Sequence, residues 1–284
     1  MGNDARSPID NPIVSAGEDV LGRADVARRF AKGLRELDLS AGLVVGVLGA
    51  WGSGKSSFVN LMREEFESEP KLAVVDFNPW MFSGAQQLVD VFFKELAVEL
   101  RLENPSRFGA IADGLDEYGD VLSPISMIPG VGARWDRAFR SYQTARRWWK
   151  DRGAQPMRKK VADALGVLDQ PVVVVIDDID RLSTGEIRDI FKLVRLTASF
   201  PNVIYVLAFD RKRVELALEE VNVPGRAYLE KIVQLTFDLP GIPREKLRSQ
   251  LLDALSPMVD DVENVRFDPD RWPDVFYEVV EPSL

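Results

Sequence analysis

Three glycines, a lysine and three serines crowd into GAWGSGKSS, residues 49 to 57. The spacing Gly49-x-x-x-x-Gly54-Lys55-Ser56 suits one chemistry well, the binding of a phosphate chain. Glycines let successive backbone N–H groups turn toward one concavity that holds anionic oxygens. Lys55 supplies a cation for the terminal phosphates, and the Ser56 hydroxyl is a hard ligand of the kind Mg2+ takes. Gly49, Ala50, Trp51, Gly52, Ser53, Gly54, Lys55, Ser56 and Ser57 are therefore read as the cradle of a nucleoside triphosphate and its Mg2+.

Such a cradle needs acids opposite it. VVVVIDDIDRL, residues 172 to 182, places Asp177 directly after five β-branched residues. Asp177 is read with Ser56 as the magnesium pair, and Asp178 as the general base that polarises an attacking water. Aspartate is one methylene shorter than glutamate, so turnover is expected to be slow. Asp180 is read as a further site carboxylate or a cap, and Arg181 as a cation of the site. Asp210 ends the run VIYVLAF and is either a sensor of the terminal phosphate or the cap of the next helix. Asp76 could position water. No Asn/Thr-Lys-x-Asp occurs, the usual reader of guanine, so ATP is expected rather than GTP.

Composition narrows the alternatives. The 284 residues include no cysteine and no histidine, which removes disulfides, most zinc chemistry and Ser-His or Cys-His catalysis. Net charge is −9, so the chain as a whole is no generic polyanion binder. Residues 134 to 160 differ, with ten Lys/Arg against two acids, a local excess of +8. There RWDRAFRSYQTARRWWK places Trp135, Phe139, Tyr142 and Trp149 on one helical face. The expectation is a helix packed on the core; a membrane-surface helix or a nucleic-acid contact is not favoured. No apolar stretch reaches the ~18 to 20 residues of a membrane span, and the N-terminus lacks the apolar core of a signal peptide. The expected place is the cytoplasm, with peripheral attachment at the inner membrane as the second option.

The elements that must position these residues follow from periodicity. LVVGVLG (43 to 49), LAVVDF (72 to 77), VVVVI (172 to 176), VIYVLAF (203 to 209) and IVQLTFDL (232 to 239) are short apolar runs read as strands buried on both faces. Helices are predicted between most of them. One has Val26, Phe30 and Leu34 on a shared face. Another has Phe58, Leu61, Met62 and Phe66, and a third opens on the capping-box spelling Ser183-Thr184-Gly185-Glu186. Alternating strand and helix gives an α/β fold with a parallel five-stranded sheet flanked by helices. The expected domains are an arm and helix at 1–42, a nucleotide domain at 43–240 with an α-helical insertion at 101–160, and a helical tail at 241–284.

Together the glycine loop, EDVLGRADVARRF (18 to 30), DFNPWMFSG (76 to 84), VVVVIDDIDRL, VIYVLAFDRKRV (203 to 214) and YLEKIVQLTFDLP (228 to 240) resemble the KAP family of P-loop NTPases. The resemblance covers about residues 18 to 240. It implies an additional-strand P-loop fold related to STAND and AAA+ ATPases, with sheet order 5-1-4-3-2. It also implies that Lys55, Ser56, Asp177 and Asp178 serve nucleotide and magnesium. The family is linked to membrane-associated signalling complexes and to phage exclusion in bacteria. Many members carry transmembrane helices between the two nucleotide motifs, where this chain has only VLSPISMIPGVG, broken by proline and glycine.

The expected function is a Mg2+-dependent, slowly hydrolysing ATP switch of a bacterial defence or signalling complex, with other proteins as partners. The alternatives are an ATP-loaded scaffold that scarcely turns over and a nucleic-acid-associated ATPase. Self-assembly would let a neighbour supply an arginine finger, for which Arg181 and Arg195 are the candidates.

Overall fold

A computed structural model of the chain describes residues 11–82, 88–122, 154–219, 224–260 and 270–280. The chain forms two compact units, Met1–Leu239 and Pro240–Leu284.

The first unit is built on five parallel strands: β1 (Leu43–Leu48), β2 (Ala73–Phe77), β3 (Val172–Ile176), β4 (Val203–Phe209) and β5 (Leu235–Asp238). They lie in the order β2-β3-β4-β1-β5, the predicted 5-1-4-3-2 read from the other edge. Every residue of β1, β3 and β4 is buried, because helices cover both faces. Alternate side chains therefore enter two separate cores. On β4, Val203, Tyr205, Leu207 and Phe209 join one core, while Ile204, Val206 and Ala208 join the other. Each fully buried Val, Leu or Phe stabilises the fold by about 1.5–3 kcal/mol relative to exposure. Unbroken β-branched runs are thus what a two-sided sheet selects.

One face is covered by α1 (Ala24–Arg35) and α2 (Lys55–Glu67), whose Phe58, Leu61, Met62 and Phe66 are buried as their spacing predicts. The predicted face of α1 needs correction. Ala27, Ala31 and Leu34 are its buried residues, Phe30 packs partly, and Val26 is exposed. Two alanines form a low ridge suited to packing against α2, and this outweighs the larger apolar side chain beside them. Helix α1 starts at Ala24, and ahead of it the Asp19 carboxylate accepts from the backbone N–H of Leu21 (3.1 Å) and Ala24 (2.7 Å) and so satisfies the helix start.

The opposite face is covered by α3 (Leu88–Glu103), α4 (Pro105–Leu122), α5 (Ala154–Gly166) and α6 (Thr184–Thr197). Helix α4 falls in the stretch read from sequence as an insertion, 101–160, and α5 starts within it and runs past its end. Phe108, Ile111, Ala112, Leu115 and Tyr118 of α4 are nonetheless buried in the main core, as are Val161 and Leu165 of α5 just beyond that stretch. The aromatic stripe at 135–149 lies outside the described residues. Helix α6 starts on the predicted capping box, Ser183 Oγ accepting from Glu186 N and the Glu186 carboxylate from Ser183 N. Two short helices, α7 (Arg211–Leu218) and α8 (Gly225–Leu229), lead to β5.

The second unit contains α9 (Arg244–Asp260) and α10 (Trp272–Val275), the latter continued by a π-helical turn, Phe276–Val280. Within it the Arg248 guanidinium lies 4.9 Å from the Phe276 ring centre and 5.5 Å from that of Tyr277. Among the described residues no helix is long and apolar enough to cross a membrane.

Candidate nucleotide-binding site

The glycine loop runs from the end of β1 into the first turn of α2, at the carboxyl ends of the strands. Its backbone needs glycine at two places, Gly52 at φ +76° and Gly54 at φ +84°. A third glycine relieves crowding: a Cβ on Gly49 would press on the Ser53 side chain. The loop is curled tightly over the Lys55 ammonium, which donates to the carbonyls of Gly49 (3.1 Å) and Ala50 (3.2 Å).

An arm ahead of α1 braces this loop. Arg23, nearly buried, donates from Nη1 to the Ser53 carbonyl at 2.6 Å. Burial pushes its guanidinium below the usual arginine range, with the Asp19 carboxylate acting in the opposite direction. Upstream, Ile13 N donates to Ser57 Oγ at 3.3 Å, Asn60 Nδ2 donates to Ile13 O at 2.8 Å, and Ala16 N donates to the Glu64 carboxylate at 2.8 Å. Residues 11 to 16 therefore lie along α2, and Asn11 and Pro12 reach the cleft beside the loop.

That cleft is lined by Trp51, Gly52, Gly54, Lys55, Ser56, Ser57, Asp177, Asp178, Asp180 and Arg181 as well. Asp177 follows β3, and its carboxylate accepts from the Ser56 hydroxyl and from Asp178 N, the latter at 2.7 Å. Burial pushes the Asp177 carboxyl above the ordinary range; those two hydrogen bonds oppose the shift, and the charges of Asp178 and Asp180 add to it. Asp178 holds a left-handed backbone, φ +59°, unusual for a residue with a side chain. Arg181 Nε donates to its Oδ1 at 2.7 Å and Asn78 Nδ2 to its Oδ2 at 3.3 Å. Both carboxylate oxygens are thereby oriented. Asp180 pairs with Lys55 at 3.0 Å.

Other predicted residues stand elsewhere. Asp210, at the end of β4, caps α7 by accepting from Arg213 N at 3.0 Å, and is not among the residues lining the cleft. Asp76 is held in a two-pronged pair by Arg63 of α2. The Arg195 guanidinium lies 5.9 Å from the Tyr228 ring centre. Sequence reasoning did not single out Asn78 or Arg23. Their signals, a polar residue two places after a strand acid and an arginine at the mouth of a helix, were present but generic. A larger open cleft of about 620 Å3 lies where the strands begin, between residues 35–40, 166–171 and 201–202. It contains none of the motif residues.

The donor set suits magnesium. Ser56 and Asp177 offer two hard oxygens already in contact, and among the described residues no cluster of three or more His, Cys, Asp or Glu converges on one metal position. A metal there must take its remaining ligands from phosphate and water, as Mg2+ does.

A parallel sheet in this order, with a glycine loop between β1 and α2 and an acid pair after β3, defines a P-loop NTPase fold. The KAP family P-loop domain matches residues 23–281, and the chain belongs to that family. It is 26% identical over 282 residues to the phage T7 exclusion protein of Escherichia coli strain K12, a match covering 90% of this chain and 38% of that protein. The chain thus spans well under half the length of that relative. Among solved structures it is similar to Cdc6p from Pyrobaculum aerophilum (13% identity, TM-score 0.45, 84% of this chain and 51% of that one). It is also similar to the Aeropyrum pernix ORC2 protein, solved as ADPNP-ADP complexes (15% identity, TM-score 0.42, 83% and 51%). Both likenesses are distant.

Proposed function

We propose that this chain is a Mg2+-dependent ATP-binding switch that hydrolyses ATP slowly, working with other proteins in bacterial phage exclusion or signalling. The observation that carries the proposal is the convergence of Lys55, Ser56, Asp177, Asp178 and Arg181 on one cleft beside the glycine loop. The loop N–H groups and Lys55 bind the phosphate chain, aided by the positive end of α2. Ser56 and Asp177 would hold a magnesium ion, whose chemistry there would be to offset the charge of the phosphate chain. Asp178, fixed by Asn78 and Arg181, orients a water for in-line attack on the γ-phosphorus and takes its proton. The bond from that phosphorus to the β–γ bridging oxygen breaks, leaving ADP and phosphate. The link to phage exclusion rests on the name of one relative, of which this chain matches a part.

Lys55→Ala is expected to abolish ATP binding, whereas Asp178→Asn keeps binding and slows turnover by ~10²-fold or more. Normal turnover by Asp178→Asn would overturn the assignment of the base. A second reading has its own observation in favour: the Asp178 carboxylate is already engaged by Arg181 at 2.7 Å. A base tied up in this way suits an ATP-loaded scaffold. One turnover per protomer lasting many minutes supports the scaffold, and steady multiple turnover supports the enzyme.

A further inference from the structure

An ammonium has three N–H donors, and Lys55 uses all of them. Two go to the loop's own carbonyls, Gly49 O and Ala50 O, and the third to Asp180 Oδ2 at 3.0 Å. The ion pair is screened little by water, with side chains 8% and 10% exposed. Lys55 can reach a phosphate oxygen only by releasing one of these acceptors. The loop carbonyls move only with the loop, while Asp180 stands 125 residues away in sequence on the turn Ile179–Arg181. Among the described charged residues lining the cleft, Asp177, Asp178 and Asp180 outnumber Lys55 and Arg181. A polyanion therefore meets a net negative lining, and Asp180 contributes to it at the cation meant for the phosphates.

We propose that Asp180 is an affinity-setting residue: its carboxylate competes with the nucleotide's phosphates for Lys55 and so weakens nucleotide binding. This rests on the reading of the cleft as a nucleotide site. Phosphate binding displaces Asp180 from Lys55, and recapture of Lys55 by Asp180 favours nucleotide release. A carboxylate that only held the loop in shape would act in the opposite sense, since its removal would loosen the cradle and weaken binding.

The test is the affinity for ADP measured in EDTA, so that no metal contact contributes, with the wild type and Asp180→Asn, Asp180→Ser and Asp180→Glu. Asp180→Asn keeps the side-chain shape, and Asp180→Ser is a second neutral variant should the first fold poorly. Removing one unit charge beside a phosphate in a partly buried site is expected to tighten binding about tenfold in both neutral variants. Asp180→Glu, which keeps the charge, is expected to bind like the wild type. Wild-type binding that the neutral variants leave unchanged or weaken overturns this inference and leaves the nucleotide reading intact. A wild type that binds neither ADP nor ATP, with or without Mg2+, overturns the nucleotide reading and this inference with it.

Discussion

Asn78→Ala tests how Asp178 is aimed. In the folded chain Asn78 Nδ2 donates to one carboxylate oxygen at 3.3 Å while Arg181 Nε holds the other at 2.7 Å. A hydrogen bond to a charged group contributes about 1.5–3 kcal/mol, and the length of this one places it at the lower end. A loss of about 1.5 kcal/mol, falling wholly on the orientation of the proposed base, lowers kcat roughly tenfold. KM for ATP should stay constant, because Asn78 does not line the cleft. The substitution also removes the acceptor for Trp80 N, at 3.0 Å from Asn78 Oδ1. Asn78→Asp separates these two effects: it keeps that acceptor but sets a like charge against Asp178, so kcat should fall at least as far. The assay is steady-state phosphate release, with nucleotide affinity measured separately. Unchanged kcat in Asn78→Ala would refute the reasoning. A faster enzyme would refute it too, by making Asn78 a restraint on the carboxylate.

Three further outcomes are expected. Gly54→Ala forces a Cβ into a left-handed position, costing about 1–2 kcal/mol, with Arg23 Nη1 only 2.9 Å from that Cβ; ATP affinity should fall about tenfold while far-UV circular dichroism stays unchanged. Burial raises the Asp177 carboxyl above its unfolded value, so the folded state holds the proton more tightly than the unfolded chain. The ligand-free protein should therefore lose stability as pH rises from about 4 through the raised value, a loss that denaturation midpoints should show and Asp177→Asn should abolish. Phe191→Ala empties a fully buried position packed edge-on against Phe209 at 5.5 Å and should cost about 3–5 kcal/mol in chemical denaturation.

The ends of β3 and β4 were legible to the residue, because a strand buried on both faces cannot admit a polar side chain until it leaves the sheet. The start of α6 was legible for a different reason: Ser183 and Glu186 satisfy each other's backbone partners locally. The face of α1 was not, since the closeness of α2 decides whether Ala27 or Val26 turns inward. The loop's glycines could be read from spacing alone, whereas the pairing of Lys55 with Asp180 joins residues 125 apart and exists only in three dimensions. The same holds for Asn78 and Asp178, brought together by the pairing of β2 with β3.

Helices α4 and α5 pack so closely that a Cβ on Gly114 would stand 3.0 Å from Val161 Cγ2. Both bury side chains in the main core, so the end of α4 and the start of α5 are fixed by the domain itself. Doubling the length of a flexible loop joined at two fixed points costs only about 0.6 kcal/mol of chain entropy. The link from β1 to α2 has no such freedom if its residues 49–54 serve as the proposed phosphate cradle. Homologous chains should therefore differ in length mostly between α4 and α5 and hardly at all between β1 and α2. Evolution can attach new segments at the first place without rebuilding the second.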